Sequence, residues 1–330
     1  MNRRRALVTG ATGGLGLALV EALSAEGYEI RAVGRRPNVA PRLRAMGAEV
    51  VLADLEEADL APLCADRDVV FHAAALSSPW GPDAAFRRAN VEVTDRLLEA
   101  ARGARIDRFV YVSSPSIYTC MADRRGLTEA DPPAVRPMNA YARTKLEAER
   151  RVLAADGEGL RTVALRPRAL IGPDDAVLLP RVLRLVRKGR FPLFRGGLGE
   201  VELTDVRDAA RALLLADRAE AAAGLAINIS GGRPVTVKAL ALALSAALDR
   251  PLALIPIPMA LARAAAATMA GVASTLPGRP EPPLTPYSLA ALAYSQTFDL
   301  TRARDLLGYR PEHVALETAR ALAPRLAARP

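Results

Sequence analysis

The sequence predicts an α/β fold: a Rossmann-type, doubly wound parallel sheet with a smaller, mostly helical substrate lobe on the C-terminal side. Short apolar segments typical of strands alternate with helix-like segments from the first residues onward. A glycine-rich turn follows the first of these strands, as in nucleotide-binding folds. Beyond residue 167 this alternation loosens and prolines become frequent, which predicts a separate lobe.

The expected strands cover residues 6–9, 30–34, 49–53, 69–74, 109–113 and 162–166. Helical spacing covers residues 15–25, 83–102 and 140–155. Strands that are apolar throughout predict a sheet buried on both faces. We expect residues 1–166 to form the dinucleotide-binding domain, with residues 200–229 returning to it, and residues 167–199 and 230–330 to form the substrate lobe. The segment 277–286 holds five prolines and is expected to be a loop or a cover.

Composition excludes several classes of protein. The net charge of +9 is spread along the chain without a run of five or six like charges, so no nucleic-acid-binding tail is indicated. Two cysteines and two histidines, far apart in sequence, predict neither a disulfide framework nor a metal site. A reducing cytoplasm and a small-molecule substrate are the natural expectations.

The best membrane candidate is the alanine-rich stretch at residues 259–276, which contains Arg263. The charge and the weak hydrophobicity of alanine argue against a spanning helix. Two uses stay open for this stretch: it lines an apolar pocket, or it rests weakly on a membrane surface.

The turn at residues 9–16, TGATGGLG, predicts a phosphate-binding site. Gly10 permits a tight turn, Gly13 lets the backbone approach a pyrophosphate, and Gly16 allows close packing of helix on sheet. Thr12 and Leu15 lie in the same turn, whose helix N-terminus presents N–H groups to an anion. The alternative is an ordinary glycine-rich turn.

Arg35 and Arg36 follow the second strand, where an acidic residue would bind the ribose of NAD. An arginine at this position suits the 2′-phosphate of NADP, so NADP is the expected cofactor and NAD the less favoured one. The alternative is two surface arginines in an arginine-rich chain. Asp54, after the third strand, either accepts a hydrogen bond from the adenine amine or caps a helix.

Tyr141 and Lys145 are four residues apart on a predicted helix and therefore share one face. A tyrosine with a pKa of about 10 needs a nearby cation to exchange a proton near neutral pH, and Lys145 would supply it. Ser114 ends the fifth strand, at the edge where ligands bind, and would orient a substrate oxygen. The alternatives are a solvent-facing pair on the helix and Ser113 in place of Ser114.

Together these motifs make the chain similar to the extended short-chain dehydrogenases/reductases, the NAD-dependent epimerase/dehydratase family, along its whole length. The matching motifs are TGATGGLG (9–16), DL (54–55), HAAA (72–75), NV (90–91), SS (113–114), Tyr141 with Lys145, RP (166–167), GP (172–173), FDL (298–300) and LGYRP (307–311). Within the family, LSSPWG (76–81), RANV (88–91), LRPRA (165–169) and YSQTFD (294–299) resemble the 3β-hydroxysteroid dehydrogenase-like branch.

The resemblance implies residue roles. Tyr141 would exchange the proton on the carbonyl oxygen, Lys145 would bind the nicotinamide ribose, and Ser114 would hold the substrate oxygen. Asn90 would position Lys145 through a water molecule, or it ties neighbouring backbone together. The remaining cofactor contacts would come from Leu55, Ala73, Ala74, Ala75 and Pro167.

On the substrate side, the resemblance to a branch that includes bacterial reductases of 2-alkyl-3-oxoalkanoic acids favours a hydrophobic ligand. Ser77, Trp80 and Pro115 are expected to wall the pocket. Trp80 is alternatively a core aromatic. Arg168 either holds a substrate carboxylate or forms a structural ion pair.

Three functions follow from these predictions. The first is an NADP-dependent oxidoreductase acting on a β-oxo acid or a 3β-hydroxysteroid. The second is a nucleotide-sugar epimerase or dehydratase that retains its cofactor, and the third is a catalytically silent NADP-sensing protein. Members of this family commonly form homodimers, which makes a homodimer an expectation from the resemblance.

Overall fold

The computed structural model describes residues 3–157, 159–175 and 177–328. The strands are β1 (Arg5–Thr9), β2 (Glu29–Gly34), β3 (Glu49–Leu52), β4 (Val69–His72), β5 (Arg108–Val112), β6 (Arg124–Leu127), β7 (Arg161–Pro167), β8 (Leu170–Ile171), β9 (Arg190–Phe194), β10 (Glu200–Glu202), β11 (Thr204–Asp205), β12 (Leu225–Ile229), β13 (Pro234–Thr236), β14 (Ala253–Ile257) and β15 (Gln296–Phe298). The helices are α1 (Gly14–Ala25), α2 (Ala40–Ala45), α3 (Ala61–Cys64), α4 (Asp83–Arg87), α5 (Val93–Gly103), α6 (Ala140–Ala154), α7 (Leu179–Arg187), α8 (Val206–Arg218), α9 (Val237–Ala247), α10 (Met259–Thr275), α11 (Pro286–Ala293), α12 (Thr301–Leu307) and α13 (Ala315–Ala327).

Seven strands form one parallel sheet in the order β12-β7-β5-β4-β1-β2-β3. The chain winds outward in one direction from β1 to β3 and in the other from β4 onward. The strand order therefore reverses between β1 and β4, the position where this class of sheet binds its ligands. The predicted Rossmann-type sheet is confirmed.

The side chains on the two faces of the large sheet pack against two layers of helices. Val8 of β1 packs into a core with Leu19 of α1 and Leu213 of α8. Leu7, its neighbour, faces the opposite layer, which contains Leu97 of α5. Successive residues of a strand point to opposite faces, so a strand buried on both sides must be apolar throughout.

The helix predicted over residues 83–102 is interrupted. The structure divides it into α4, a π-helical turn at Arg88–Glu92, and α5. Asn90 lies in the wide turn, where its side-chain oxygen accepts the Leu76 N–H at 2.8 Å. A side chain that bonds to backbone remote in sequence leaves no trace in hydrophobic periodicity, which is why the sequence predicted one continuous helix.

The second lobe has its own core, built from α7, α9 and α13, and small sheets beside it. One of these sheets has the order β13-β10-β15-β6, and β9 pairs with β14. The predicted return to the large sheet is made by β12, which pairs with β7. Because β10 belongs to the small sheet, the expected return of residues 200–229 begins only at α8, which packs on α1.

The proline-rich segment at residues 276–285 contains no helix or strand and connects α10 to α11. It is tied at two points. The indole Nε1 of Trp80 donates to the carbonyl of Arg279 at 3.0 Å, and Arg181 of α7 pairs with Glu281 at 2.9 Å. The segment thus links the two parts of the chain.

Helix α10 has 17 residues and carries an exposed apolar face, with Leu261 62% and Val272 54% exposed. No helix within the described ranges is long and apolar enough to cross a membrane.

Candidate active site

A crevice of about 690 Å³ opens at the carboxyl edge of the large sheet. Every residue that the sequence predicted to contact the cofactor lines it: Gly10, Thr12, Gly13, Leu15, Gly16, Arg35, Arg36, Asp54, Leu55, Ala73, Ala74, Ala75, Tyr141, Lys145 and Pro167. Ser77 and Ser114 line the same crevice, whereas Asn90, Trp80, Pro115 and Arg168 lie outside its lining.

The glycine turn requires glycine at two positions. Gly10 has a φ of +69°, and a Cβ atom there would lie 2.7 Å from the Ala74 nitrogen. A Cβ atom on Gly16 would lie 2.2 Å from the Gly10 carbonyl oxygen. Helix α1 begins at Gly14, within the glycine turn, and has no acidic residue in its first helical turn. A helix N-terminus with free N–H groups and no competing carboxylate suits a bound phosphate.

Arg35 and Arg36 are exposed at the end of β2, beside the crevice. Arg35 Nη1 lies 3.2 Å from Asp54 Oδ2. The N–H of Glu56 and the Arg35 guanidinium hold the pKa of Asp54 below its usual value. Asp54 thus anchors a turn and Arg35 in this structure, and its predicted adenine contact stays a prediction.

Three residues with hydroxyl groups, Tyr141, Ser114 and Ser77, line the same crevice. Tyr141 is half-buried on the first turn of α6, and Asn139 caps this helix by accepting the Ala142 N–H. Burial raises the pKa of Tyr141, and hydrogen bonding with Ser114 and Ser77 opposes that rise. The phenol is therefore protonated at neutral pH and faces two hydroxyls, an arrangement suited to holding one substrate oxygen.

The hydroxyl of Ser113, the alternative to Ser114, already forms a hydrogen bond within the protein. This hydroxyl donates to Glu149 at 2.6 Å, inside a buried cluster. Arg166 donates two hydrogen bonds of 2.8 and 2.6 Å to the same carboxylate. Nothing in the sequence indicates this cluster, because Glu149 resembles any charged helix residue. The cluster fixes α6, which carries Tyr141, against the end of the sheet.

Lys145 is buried, and its ammonium donates to the carbonyl of Val112 at 2.5 Å and lies 4.1 Å from the centre of the Tyr111 ring. Burial lowers the pKa of Lys145 to about 7, although Glu149 acts in the opposite direction. From the sequence, Lys145 was expected to depress the pKa of Tyr141. In the structure hydrogen bonding with Ser114 and Ser77 acts to lower the pKa of Tyr141, and an effect of Lys145 on this phenol stays a prediction.

The amide of Asn90 is used by its neighbours: it bonds to the backbone of Leu76 and donates to the Thr144 hydroxyl at 3.1 Å. This is the backbone-tying alternative, and a water relay to Lys145 stays a prediction.

His72 lies between two threonine hydroxyls, and burial lowers its pKa to about 3. It therefore stays neutral, which fits a structural role.

The predicted substrate residues are dispersed. Trp80 is held by the proline-rich segment, and Pro115 begins a buried 3₁₀ turn directly after Ser114. Arg168 is 9% exposed and forms no ion pair with any described residue, so its structural-ion-pair alternative is not observed. The sequence missed Tyr287 of α11, whose phenol is near enough to Tyr141 and Arg168 to affect the pKa of each.

Comparison with known proteins agrees with this geometry. The model of the NAD dependent epimerase/dehydratase family matches residues 6–230, which include the large sheet, the glycine turn and the Tyr141–Lys145 pair. The chain belongs to this family. The family is NAD(P)-dependent and comprises oxidoreductases and epimerases, so the resemblance seen in the sequence is confirmed.

Two relatives within the epimerase/dehydratase family are reductases. A 2-alkyl-3-oxoalkanoate reductase of Stenotrophomonas maltophilia is 36% identical over 313 residues, covering 93% of this chain and 94% of the relative. A 4-hydroxy-2-methyl-3-oxo-4-farnesyl-3,4-dihydroquinoline-1-oxide ketoreductase of Stigmatella aurantiaca is 39% identical over 238 residues, 71% of this chain and 70% of the relative.

Solved structures of the epimerase/dehydratase family share the fold. MoeE5 in complex with UDP-glucose and NAD superposes with a TM-score of 0.76 at 26% identity, covering 97% of this chain and 99% of the neighbour. The fold prediction is thereby confirmed over both lobes.

Proposed function

We propose that the protein is an NADP-dependent reductase that converts a ketone on a hydrophobic substrate, a β-oxo acid or a 3-oxosteroid, into a secondary alcohol. When bound in the crevice, NADPH supplies the hydride. The glycine turn and the N-terminus of α1 would hold its pyrophosphate, and Arg35 its 2′-phosphate. The residues present fit this group, because added Cβ atoms on Gly10 and Gly16 would collide with the backbone around the turn.

The proposal rests above all on the hydroxyl cluster of Tyr141, Ser114 and Ser77. Ser114 would donate a hydrogen bond to the ketone oxygen and orient it toward Tyr141. Burial keeps the Tyr141 phenol protonated at neutral pH. A protonated phenol can donate its proton to the oxygen of a carbonyl that is receiving a hydride, so the cluster favours the reductive direction.

Lys145, which lines the crevice, would assist Tyr141. A lysine with a pKa of about 7 is partly neutral at physiological pH and gains its charge readily next to an anionic or polar ligand. The proposal therefore includes two roles for Lys145: it binds the ribose of the cofactor, and it helps to supply a proton to Tyr141. The Glu149 carboxylate, one helical turn further, favours the charged form.

Two alternatives stand beside reduction. A nucleotide-sugar epimerase is the first alternative, because a structural neighbour binds UDP-glucose and NAD. A silent NADP-sensing protein would keep the crevice without turnover. The reductase is favoured because two relatives, which align over 93% and 71% of the chain, are reductases.

A substrate panel tests the proposal. Purified protein is mixed with NADPH and 2-alkyl-3-oxoalkanoates, 3-oxosteroids or nucleotide sugars, and absorbance at the nicotinamide band is followed together with products. We expect one NADPH to be consumed per ketone reduced. Epimerised nucleotide sugar without net NADPH consumption would overturn the proposal, and NADPH binding with no turnover of any compound would favour the sensor.

Cofactor selection is tested by Arg35→Asp. Loss of a charge-assisted hydrogen bond to phosphate, about 1.5–3 kcal/mol, should lower kcat/KM for NADPH by roughly 10- to 100-fold while activity with NADH stays equal or rises. Arg44→Asp makes the same charge change on α2, outside the crevice, and serves as the control. An unchanged NADPH-to-NADH ratio in Arg35→Asp would exclude this residue as the phosphate ligand, and Arg36→Asp would then be the next variant.

A further inference from the structure

His72 joins three elements of the dinucleotide-binding domain. It ends β4 and is completely buried. Its Nδ1 lies 2.7 Å from the hydroxyl oxygen of Thr9, the residue before Gly10, and its Nε2 lies 3.0 Å from the hydroxyl oxygen of Thr94 on α5. Both threonines are fully buried as well, so bulk water does not compete for these bonds. The imidazole thus holds the ends of β1 and β4 and the start of α5 together.

The groups at the two ends of this contact fix the position of every hydrogen. The N–H of Ala74 donates to the Thr9 hydroxyl at 3.3 Å, and the Thr94 hydroxyl donates to the carbonyl of Asn90 at 2.7 Å. A backbone N–H only donates and a carbonyl only accepts. Because the Thr94 hydrogen is used on Asn90, Nε2 of His72 must donate to the Thr94 oxygen. Nδ1 then accepts from the Thr9 hydroxyl, which makes the ring the neutral Nε2–H tautomer.

The surroundings keep His72 neutral. Burial lowers its pKa to about 3, and the ammonium of Lys145 acts in the same direction. Its hydrogen-bond partners within the described ranges are hydroxyls, and none is a carboxylate that would favour the charged ring. A second hydrogen on Nδ1 would also compete with the Ala74 N–H for the Thr9 oxygen. The direction of these hydrogen bonds is therefore the same at every physiological pH.

The hydrogen bonds continue toward both ends of the crevice. Ala74 lines the crevice beside the glycine turn, where a Cβ atom on Gly10 would lie 2.7 Å from the Ala74 nitrogen. At the other end, the side-chain amide of Asn90 donates to the Thr144 hydroxyl at 3.1 Å. Thr144 lies on α6, three residues after Tyr141. One chain of hydrogen bonds therefore connects the predicted pyrophosphate site with the helix that carries the predicted proton donor.

We propose that His72 is a positioning residue, whose fixed Nε2–H tautomer holds the glycine turn and α6 in register so that a cofactor bound at the turn meets Tyr141. His72 does not line the crevice, so it acts only through its neighbours. The effect on turnover rests on the proposed reductase function, whereas the tautomer and the effect on cofactor affinity do not. Because a displacement of about 1 Å between reacting groups can cost about 100-fold in rate, loss of this connection should be measurable.

The tautomer is tested by ¹⁵N NMR of the intact protein labelled at histidine. The chain has two histidines, and His313→Gln assigns the signals by removing one of them. His313 pairs with Asp208 and does not line the crevice, so this variant should keep wild-type NADPH affinity. We expect His72 to carry its hydrogen on Nε2 and to show no titration between about pH 8 and pH 5. A hydrogen on Nδ1, or protonation of the ring within this range, would overturn the proposal.

The positioning role is tested on Thr94, whose oxygen accepts from His72. Thr94→Val removes this oxygen with little change in side-chain shape, and Thr94→Ser retains it. In Thr94→Val we expect kcat for 2-alkyl-3-oxoalkanoates to fall by about 10-fold or more and the Kd of NADPH to rise by about fivefold or more. Thr94→Ser should stay within about threefold of the wild type on both measures. The unfolding midpoint of each variant is measured in parallel, so that all are compared while folded.

The outcomes separate positioning from support of the fold alone. Wild-type kcat and NADPH affinity in Thr94→Val, together with a lower unfolding midpoint, would show that His72 only stabilises the fold, and the proposal would be wrong. If the wild type reduces no ketone, the reductase proposal fails, but a higher NADPH Kd in Thr94→Val that is restored in Thr94→Ser still supports the positioning role. The NMR measurement needs no variant at residue 94, so it tests the proposal even where Thr94→Val does not fold.

Discussion

Tyr141→Phe should lower kcat by about 10²- to 10⁴-fold, the range measured for loss of a general acid. The phenol is the proton donor nearest to the proposed carbonyl position, and neither Ser114 nor Ser77 is acidic enough to replace it. The ring itself is retained, so the wall of the crevice and the helix cap at Asn139 stay in place. NADPH affinity, measured by quenching of protein fluorescence, should therefore change less than about threefold.

Tyr28→Phe is the matched control, because it removes a phenol hydroxyl that bonds to Asp217, far from the crevice. Its kcat should equal that of the wild type. If Tyr141→Phe retained a tenth or more of the wild-type kcat with the preferred ketone, proton transfer from this phenol would not be part of the reaction.

Gly16→Ala should damage cofactor binding and stability together. The added Cβ would lie 2.2 Å from the Gly10 oxygen and 2.6 Å from the Ala11 Cα, both backbone atoms of the phosphate turn. Overpacking of this kind costs about 1–3 kcal/mol. The turn must move away from the helix, so we expect a similar loss in NADPH binding, which corresponds to a roughly 5- to 150-fold higher Kd.

Gly103→Ala provides the comparison, on a helix of the opposite layer. Gly103 ends α5 and does not line the crevice, and a Cβ atom added there would meet no other atom within 4 Å. Alanine should leave NADPH affinity unchanged and raise stability by up to about 1 kcal/mol. Urea unfolding and NADPH titration of both variants measure these effects. Wild-type affinity in Gly16→Ala would show that the turn does not hold the pyrophosphate.

The sequence predicted the parts of the site whose chemistry is local. The glycine turn, Arg35 and the Tyr141–Lys145 pair each lie within one turn or one helix, so spacing alone indicates their shared face. The sheet was predictable for a similar reason, since strands buried on both faces must be apolar throughout.

Features that depend on contacts between distant segments were not predictable in this way. Ser113 and Ser114 are chemically equivalent in the sequence, and only the position of Glu149 distinguishes them. Tyr287 is the second residue of α11, directly after the proline-rich segment, and nothing in the sequence indicates its approach to Arg168. The interruption at Asn90 likewise follows from a bond to the backbone of Leu76, which belongs to another element.

The segment at residues 276–285 has a consequence for the free energy of folding. It is held by the Trp80–Arg279 hydrogen bond and the Arg181–Glu281 ion pair, and Leu284 packs against the apolar cluster beside α10. Its prolines reduce the number of conformations open to the unfolded chain, so ordering this connection costs less conformational entropy than ordering a proline-free loop of the same length.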